Sequence, residues 1–253
     1  MKVTLLGTGT SQGVPVIACN CEVCTSINPK DNRFRTSAMI EVDNLNIIID
    51  TGPDFRQQML REKVSDINAV LFTHHHKDHV AGMDDIRAFN YRWKKDMPIY
   101  CSLATKDALM KEFPYIFAKL KYPGVPKVSI NIIKNKPFRI NTTPIIPIEA
   151  KHYLMPVLGF RIYNFVYLTD ISEISDSEKE KMKDADLIVL DSLRKKPHIS
   201  HLNLEQALCL LEELKPKQAL LTHISHYMGL HDDINKELPS YVKLGYDRQV
   251  IIL

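Results

Sequence analysis

Four of the ten histidines fall between positions 74 and 79, in the run His74-His75-His76-Lys77-Asp78-His79. Within it, His74, His76, Asp78 and His79 form the pattern His-x-His-x-Asp-His. Neutral imidazoles and a carboxylate suit zinc, manganese or iron, without a strong choice among them. A loop leaving a strand turns His74 and His76 toward one metal while Asp78 and His79 face its neighbour, so one short segment starts two sites. His75 gains no role from this spacing. A dinuclear centre needs more ligands, and His152, Asp170 and His223 are the candidates, each near the end of an apolar run. Ligands gathered at one edge of a sheet pair converge although they are distant in sequence. A second cluster is made of thiols. Three of the five cysteines, Cys19, Cys21 and Cys24, lie within six residues. That spacing is cramped for disulfides, and an odd count leaves one thiol over, so the cluster reads as metal ligands in a reducing compartment. Cys101 and Cys209 sit beside apolar neighbours and read as small buried side chains.

The elements that must position these residues follow from hydrophobic periodicity. Lys2 to Leu6 reads as a strand. The loop Gly7-Thr8-Gly9-Thr10-Ser11-Gln12-Gly13 after it lacks a Walker lysine and breaks the GxGxxG spacing, so it reads as a tight turn or a close backbone approach. Ser37 to Val42 and Leu45 to Asp50 read as a hairpin around Asp43-Asn44. Gln57 to Glu62 is a short helix, and Ala69 to Phe72 is a buried strand that delivers the chain to His74. Ile99 to Cys101 leads into a helix over Ala104 to Phe113, capped by Thr105 or a neighbouring polar residue. Lys111 to Lys127, rich in Pro, Tyr, Phe and Lys, reads as an irregular insertion or lid. Strands follow at Val128 to Ile133, Phe138 to Ile140, Ile145 to Glu149, Gly159 to Ile162, Phe165 to Leu168 and Ile188 to Leu190. Asn203 to Leu214 is an amphipathic helix with Asn203 as its cap, and Gln218 to Leu221 is a strand that ends at Thr222-His223. Strands alternating with helices suit sheets covered by helices. No linker or internal repeat divides the chain, which reads as a single domain over residues 1–253 in two lobes.

The composition sets outer bounds. A chain of 253 residues with 45% hydrophobic and 25% charged content is ordinary for a soluble globular protein. The formal charge of +3, from 33 basic and 30 acidic residues, does not by itself demand a nucleic-acid partner. Arg33 and Arg35 are expected on the surface. The N-terminal segment runs into glycines too early for a signal peptide, and no apolar run approaches bilayer length. The expectation is a cytoplasmic protein without membrane contact.

In order and spacing, His74-x-His76-x-Asp78-His79, His152, Asp170 and His223 resemble the signature of the metallo-β-lactamase fold hydrolases. The opening Leu6-Gly7-Thr8-Gly9-Thr10 and the strand end Ile49-Asp50-Thr51-Gly52 extend the likeness over nearly the whole chain. It implies an α+β four-layer αββα sandwich, the metallo-β-lactamase-like fold. It also implies two divalent metals, zinc or manganese: His74, His76 and His152 on one, Asp78, His79 and His223 on the other, and Asp170 between them. Asp50 is similar to a family aspartate that orients the metal loop without touching metal. Cys19, Cys21 and Cys24, taken with His226 in Thr222-His223-Ile224-Ser225-His226, resemble the Cys-Cys-Cys-His zinc site of PhnP-type phosphodiesterases. That implies one structural zinc pinning an early loop to the last metal strand. His201, in Ser200-His201-Leu202-Asn203, is similar by position to an additional active-site histidine of PhnP-like and tRNase Z-like enzymes, and would assist at the phosphate.

The function these residues imply is hydrolysis of a small cyclic or nucleotide-like phosphodiester by a hydroxide bridging two metals, with His201, Asp78 and Asp170 as catalytic residues. The substrate class comes from the resemblance, because metal ligands alone do not select phosphorus over carbonyl carbon. A thioesterase or β-lactamase-like hydrolase is the nearest rival. A tRNA 3′-processing endonuclease shares the metal signature, but no glycine-rich basic arm is evident, so nucleic acid is not favoured as a partner. A zinc-stabilised binding protein without turnover is the non-enzymatic alternative. Members of this fold often pair, which implies a homodimer.

Overall fold

The structure, a computed structural model, describes residues 1–120 and 122–253. Two seven-stranded sheets are built in succession along the chain. The first takes β1 (Lys2–Gly7), β2 (Ser37–Val42), β3 (Leu45–Ile49), β4 (Ala69–Leu71), β5 (Met97–Cys101) and β6 (Val128–Ile132), side by side in chain order. The second takes β7 (Phe138–Ile140), β8 (Thr143–His152), β9 (Met155–Ile162), β10 (Phe165–Leu168), β11 (Leu187–Asp191), β12 (Gln218–Thr222) and β13 (Val242–Leu244) in the same manner. The last strand, β14 (Val250–Ile252), returns to the first sheet and pairs antiparallel with β1. Each sheet begins with antiparallel hairpins and ends with parallel strands. The β2–β3 hairpin turns on Asp43 and Asn44, both at positive φ (48° and 60°), as a two-residue hairpin loop requires.

Among the described residues eight α-helices cover the sheets: α1 (Phe55–Arg61), α2 (Lys77–Val80), α3 (Arg87–Trp93), α4 (Leu103–Glu112), α5 (Pro114–Phe117), α6 (Asp176–Lys179), α7 (Leu204–Leu214) and α8 (His231–Glu237). Alternation along the strands explains the layering. Ile47 and Ile49 of β3 face an inner core with Val3, Ile40, Phe160, Tyr167, Val189 and Leu220, while Ile48 faces an outer core with Phe55, Phe89 and Leu109. In the second sheet Val189 points inward, and Ile188 and Leu190 pack under Ala207, Leu211 and Leu214 of α7. Strands covered on both faces must be apolar almost throughout, which is why β3, β10 and β11 read as continuous hydrophobic runs. The result is helix, sheet, sheet, helix: the four-layer αββα arrangement of the metallo-β-lactamase fold. Among the described residues, no helix is long and apolar enough to cross a membrane.

Several local expectations are corrected. Of the two caps expected for α4, the neighbouring polar residue holds: Ser102 accepts the Thr105 N–H. The stretch Lys111 to Lys127 is not wholly irregular: it holds the end of α4 and all of α5, and anchors Phe113 and Ile116 in the outer core. Lys121, within that stretch, lies outside the described residues. Cys101 is buried, but Cys209 is exposed on the outer side of α7. Arg33 is not on the surface, being only 4% exposed. Its guanidinium donates to Thr8 Oγ1 and the Gly245 carbonyl and lies 3.2 Å from His231 Nδ1. Burial pushes its pKa down to about 10, and burial together with the Arg33 charge pushes His231 down to about 4. His231 is therefore neutral and can accept from Arg33, and the pair fastens the early loop to the C-terminal strands. Gly7 has the expected close approach: a Cβ there would collide with the Arg35 carbonyl oxygen.

Candidate functional site

The strands that carry the predicted ligands all end at one edge of the sandwich. The Thr36 hydroxyl lies 2.7 Å from that of Thr222 and 3.1 Å from Tyr167 Oη, linking the two sheets beneath this edge. Leu158 N–H donates to the Thr73 carbonyl across the same seam. Three strand-end residues, Asp50, Asp170 and His223, adopt left-handed backbone conformations, with φ of 64°, 57° and 58°. Such conformations are uncommon outside glycine and concentrate at functional sites. Here each follows an extended strand and turns its side chain over the edge.

His74, His76 and His152 form one group, with ligand atoms within 4.8 Å of one another. Their rings stand at 4.7, 5.1 and 5.7 Å, centroid to centroid. Asp78, His79, Asp170 and His223 form a second group by the same measure, and Asp170 also reaches His152 and His201. Asp170 therefore lies between the two groups. Among these residues only His76 is markedly exposed, while His74, His79, His152, Asp170 and His223 are buried.

The remaining ring nitrogens are held from behind. Asp50, fully buried, accepts from Thr73 N–H (2.9 Å), Thr73 Oγ1 (2.8 Å) and His79 Nδ1 (2.7 Å). Because Thr73 Oγ1 gives its proton to Asp50, it can only accept from His74 Nδ1, 3.0 Å away. His152 Nδ1 donates to the Ser200 carbonyl at 2.7 Å. Each of these histidines thus offers Nε2 forward, and the Nε2 atoms of His74 and His79 are buried without a hydrogen bond. An orphaned buried nitrogen is costly, and a cation in front of it supplies the missing partner. Fixing the rear nitrogen of a ligand histidine is the usual support of a metal site. The donor set therefore fits two divalent cations.

The electrostatics agree. Burial, reinforced by neighbouring charge, pushes the His74 pKa well down, and burial lowers His76 and His152 as well, which favours the neutral rings a metal would need. Burial alone would raise Asp78 and Asp170, but the neighbouring histidines outweigh it and hold both carboxyls well below the usual range. His79 runs the other way. Burial would lower its pKa, yet Asp78, Asp170 and Asp50 together raise it.

One functional neighbour is not evident from ligand spacing. Asp191, the last residue of β11, is fully buried and accepts the backbone N–H groups of Ile171 and Leu202. Its carboxylate lies 3.4 Å from His201 Nδ1 and 3.7 Å from His223 Nδ1. Asp191 closes the apolar run Leu187 to Leu190 just as Asp170 closes Phe165 to Leu168, and that parallel is the signal by which it can be found. His201 sits 3.9 Å from Asp170 and stacks on His223 at 4.7 Å. Burial would lower its pKa, but the Asp191 charge prevails and raises it.

The thiol cluster is separate. Cys19, Cys21 and Cys24 place their sulfurs 3.3, 3.4 and 3.4 Å from His226 Nδ1. A tetrahedral zinc with bonds of about 2.3 Å to sulfur and 2.0 Å to nitrogen sets that edge at about 3.5 Å. The hydrogen bond from Cys24 N–H, with those from neighbouring side chains, brings the Cys21 thiol down to about 6, whereas burial pushes Cys24 up to about 11.

Known proteins share this arrangement. The family profile described as "Beta-lactamase superfamily domain" matches residues 45–224. A curated relative, the octanoyltransferase of Porphyromonas gingivalis, is 37% identical over 250 residues, covering 98% of this chain but 50% of that protein. The chain thus spans about half the length of that relative. A solved structure described as a new diphosphatase from the PhnP family is 36% identical, with a TM-score of 0.93 over 99% of this chain and 96% of that one. The short form of human tRNase Z shares the fold, at 18% identity and a TM-score of 0.71 over 100% and 99% of the two chains. The chain belongs to the beta-lactamase superfamily and is, within it, closely related to the PhnP family.

Proposed function

We propose that the chain is a metal-dependent phosphodiesterase that hydrolyses small phosphodiesters, cyclic or nucleotide-like. The observation that carries this reading is the joining of two ligand groups through Asp170, with His201 beside the junction. In this reading His74, His76 and His152 would hold one divalent cation and Asp78, His79 and His223 the other, with Asp170 available to both. Zinc or manganese bound there would lower the pKa of a water and neutralise charge that develops on the phosphorus oxygens.

The chain's own groups do the rest. Asp50 fixes His79 directly and His74 through Thr73, so the ligand nitrogens need no reorganisation on binding. Asp191, 3.4 Å from His201 Nδ1, raises the His201 pKa through its charge, which suits a group that protonates a leaving oxygen. Cys19, Cys21, Cys24 and His226 would hold a third, structural zinc and stiffen the rim. The diphosphatase named for the PhnP-family relative extends the substrate class to diphosphates, whose P–O bonds break by the same in-line attack. Octanoyl transfer, named for the P. gingivalis relative, belongs to a protein twice as long.

A turnover panel with bis(p-nitrophenyl) phosphate, a 2′,3′-cyclic nucleotide, a nucleoside diphosphate ester, an octanoyl thioester and precursor tRNA tests the reading. Cleavage of the phosphorus esters, abolished by Asp170→Ala, supports it. Preference for the thioester or the tRNA overturns it.

A further inference from the structure

The loop from Leu193 to Leu202 connects β11 to α7 and carries His201 at its far end. At its near end stand Arg194, Lys195 and Lys196, which together with Tyr227 line a cavity of ≈ 440 Å³. That is within the size range of small-ligand sites, about 300–1,000 Å³. The cavity wall is preformed. Leu193 N–H bonds to the Leu202 carbonyl, and both the N–H and the Oγ of Ser225 donate to the Leu193 carbonyl. Leu204 N–H and Asn203 Nδ2 donate to the carbonyls of Arg194 and Lys195.

The cations in this wall differ in their commitments. Arg194 folds back onto the carbonyls of Lys196 and Pro197, which fixes its guanidinium beside the loop. Lys195 pairs with Glu237 at 2.9 Å. Lys196 is exposed and, among the described residues, has no carboxylate within ion-pair distance. Tyr227 is 67% exposed, although its ring packs at 4.0 Å on that of His226. An exposed aromatic face beside an uncommitted lysine is an arrangement that can bind a nucleobase and a phosphate together.

The cavity is also close to the candidate centre. Tyr227 is four residues from His223 and Lys196 is five from His201, so their Cα atoms lie within about 14 and 18 Å of those residues at full chain extension. Between them, His198 stands 5.2 Å from His201, ring to ring. These bounds keep Lys196 and Tyr227 within reach of an extended arm of a phosphorus ester seated at the centre.

We infer that this cavity is a subsite for the nucleotide arm of the substrate, with Tyr227 stacking on the base and Lys196, backed by Arg194 and Lys195, holding a second phosphate. The substrate class narrows accordingly to nucleoside diphosphate esters. This rests on the phosphodiesterase reading for its chemistry but not for its binding.

The test uses the metal-loaded protein in calorimetric titrations with ADP and, separately, with inorganic phosphate. Lys196→Ala and Tyr227→Leu should each weaken ADP about tenfold, and Tyr227→Phe should restore it, while phosphate affinity stays within about twofold. ADP affinity unchanged by both substitutions, or ADP and phosphate weakened alike, overturns the subsite. Hydrolysis of bis(p-nitrophenyl) phosphate, measured on the same samples, separates the two readings. An ADP-selective loss in a protein without turnover leaves the subsite standing and removes the phosphodiesterase. Full turnover with unchanged ADP affinity removes the subsite alone.

Discussion

The two metal-ligand clusters are built on opposite principles. The His/Asp groups stand at the ends of β4, β8, β10 and β12, on strands whose apolar residues are almost all buried, with Asp50 and Asp191 behind them. The thiols of Cys19, Cys21 and Cys24 lie in the stretch between β1 and β2, where the regular structure is one three-residue 3₁₀ turn and each cysteine is at least partly exposed. In the first cluster the fold positions the candidate ligands, so a bound metal would add to an arrangement that already exists. In the second, a bound zinc would supply much of the order of its own loop, as in small zinc sites where binding and folding are coupled. Substitutions in the two regions should therefore fail differently: one in chemistry, the other in local structure.

The strongest way to break this comparison is Asp170→Ala. It should lower phosphodiester turnover by roughly a thousandfold and leave the thermal transition and the Cys cluster's zinc in place; a collapse of the whole fold would contradict the separation. Next come Asp50→Asn and Asp191→Asn. Either removes support from behind ligating or proton-bearing histidines and should cost about 10–100-fold in metal affinity or activity. The Asp50 variant is expected to act on metal occupancy, and the Asp191 variant on kcat as well, because it faces His201. Cys24→Ser is smaller in chemistry and larger in structure. It should release one zinc and open residues 14–32 to limited proteolysis, while turnover falls by no more than about tenfold. Cys209→Ser marks the floor. That thiol is exposed on α7 and should shift stability by no more than about 0.5 kcal/mol.

Much of this was readable from residue order because both the sheets and the ligands announce themselves by burial. Leu45 to Ile49, Phe165 to Leu168 and Leu187 to Leu190 are apolar runs because each is covered on both faces, and each ends in an aspartate at the functional edge. Asp191 closes one of these runs, which marks it as an edge residue, but its histidine partners are carried by other strands, so the run alone does not give its role. The left-handed turns at Asp50, Asp170 and His223 have only a weak sequence signal, because aspartate and histidine adopt that conformation far less readily than glycine. Arg33 misled for a different reason. Its partners, Gly245 and His231, are about two hundred residues away, and without them a buried guanidinium looks implausible. Cys209 stands on a helix whose buried face is set by Ala207, Leu210, Leu211 and Leu214, one position off its own.

Metal counting by mass spectrometry on the purified wild type, Asp170→Ala and His226→Ala, with turnover of bis(p-nitrophenyl) phosphate recorded on the same samples, tests the central claim most directly. Two independent centres predict that His226→Ala loses one metal and keeps turnover, whereas Asp170→Ala loses the other metals and the activity but keeps the thiol-bound zinc. Loss of all metal from either single variant, or full turnover by Asp170→Ala, would contradict it.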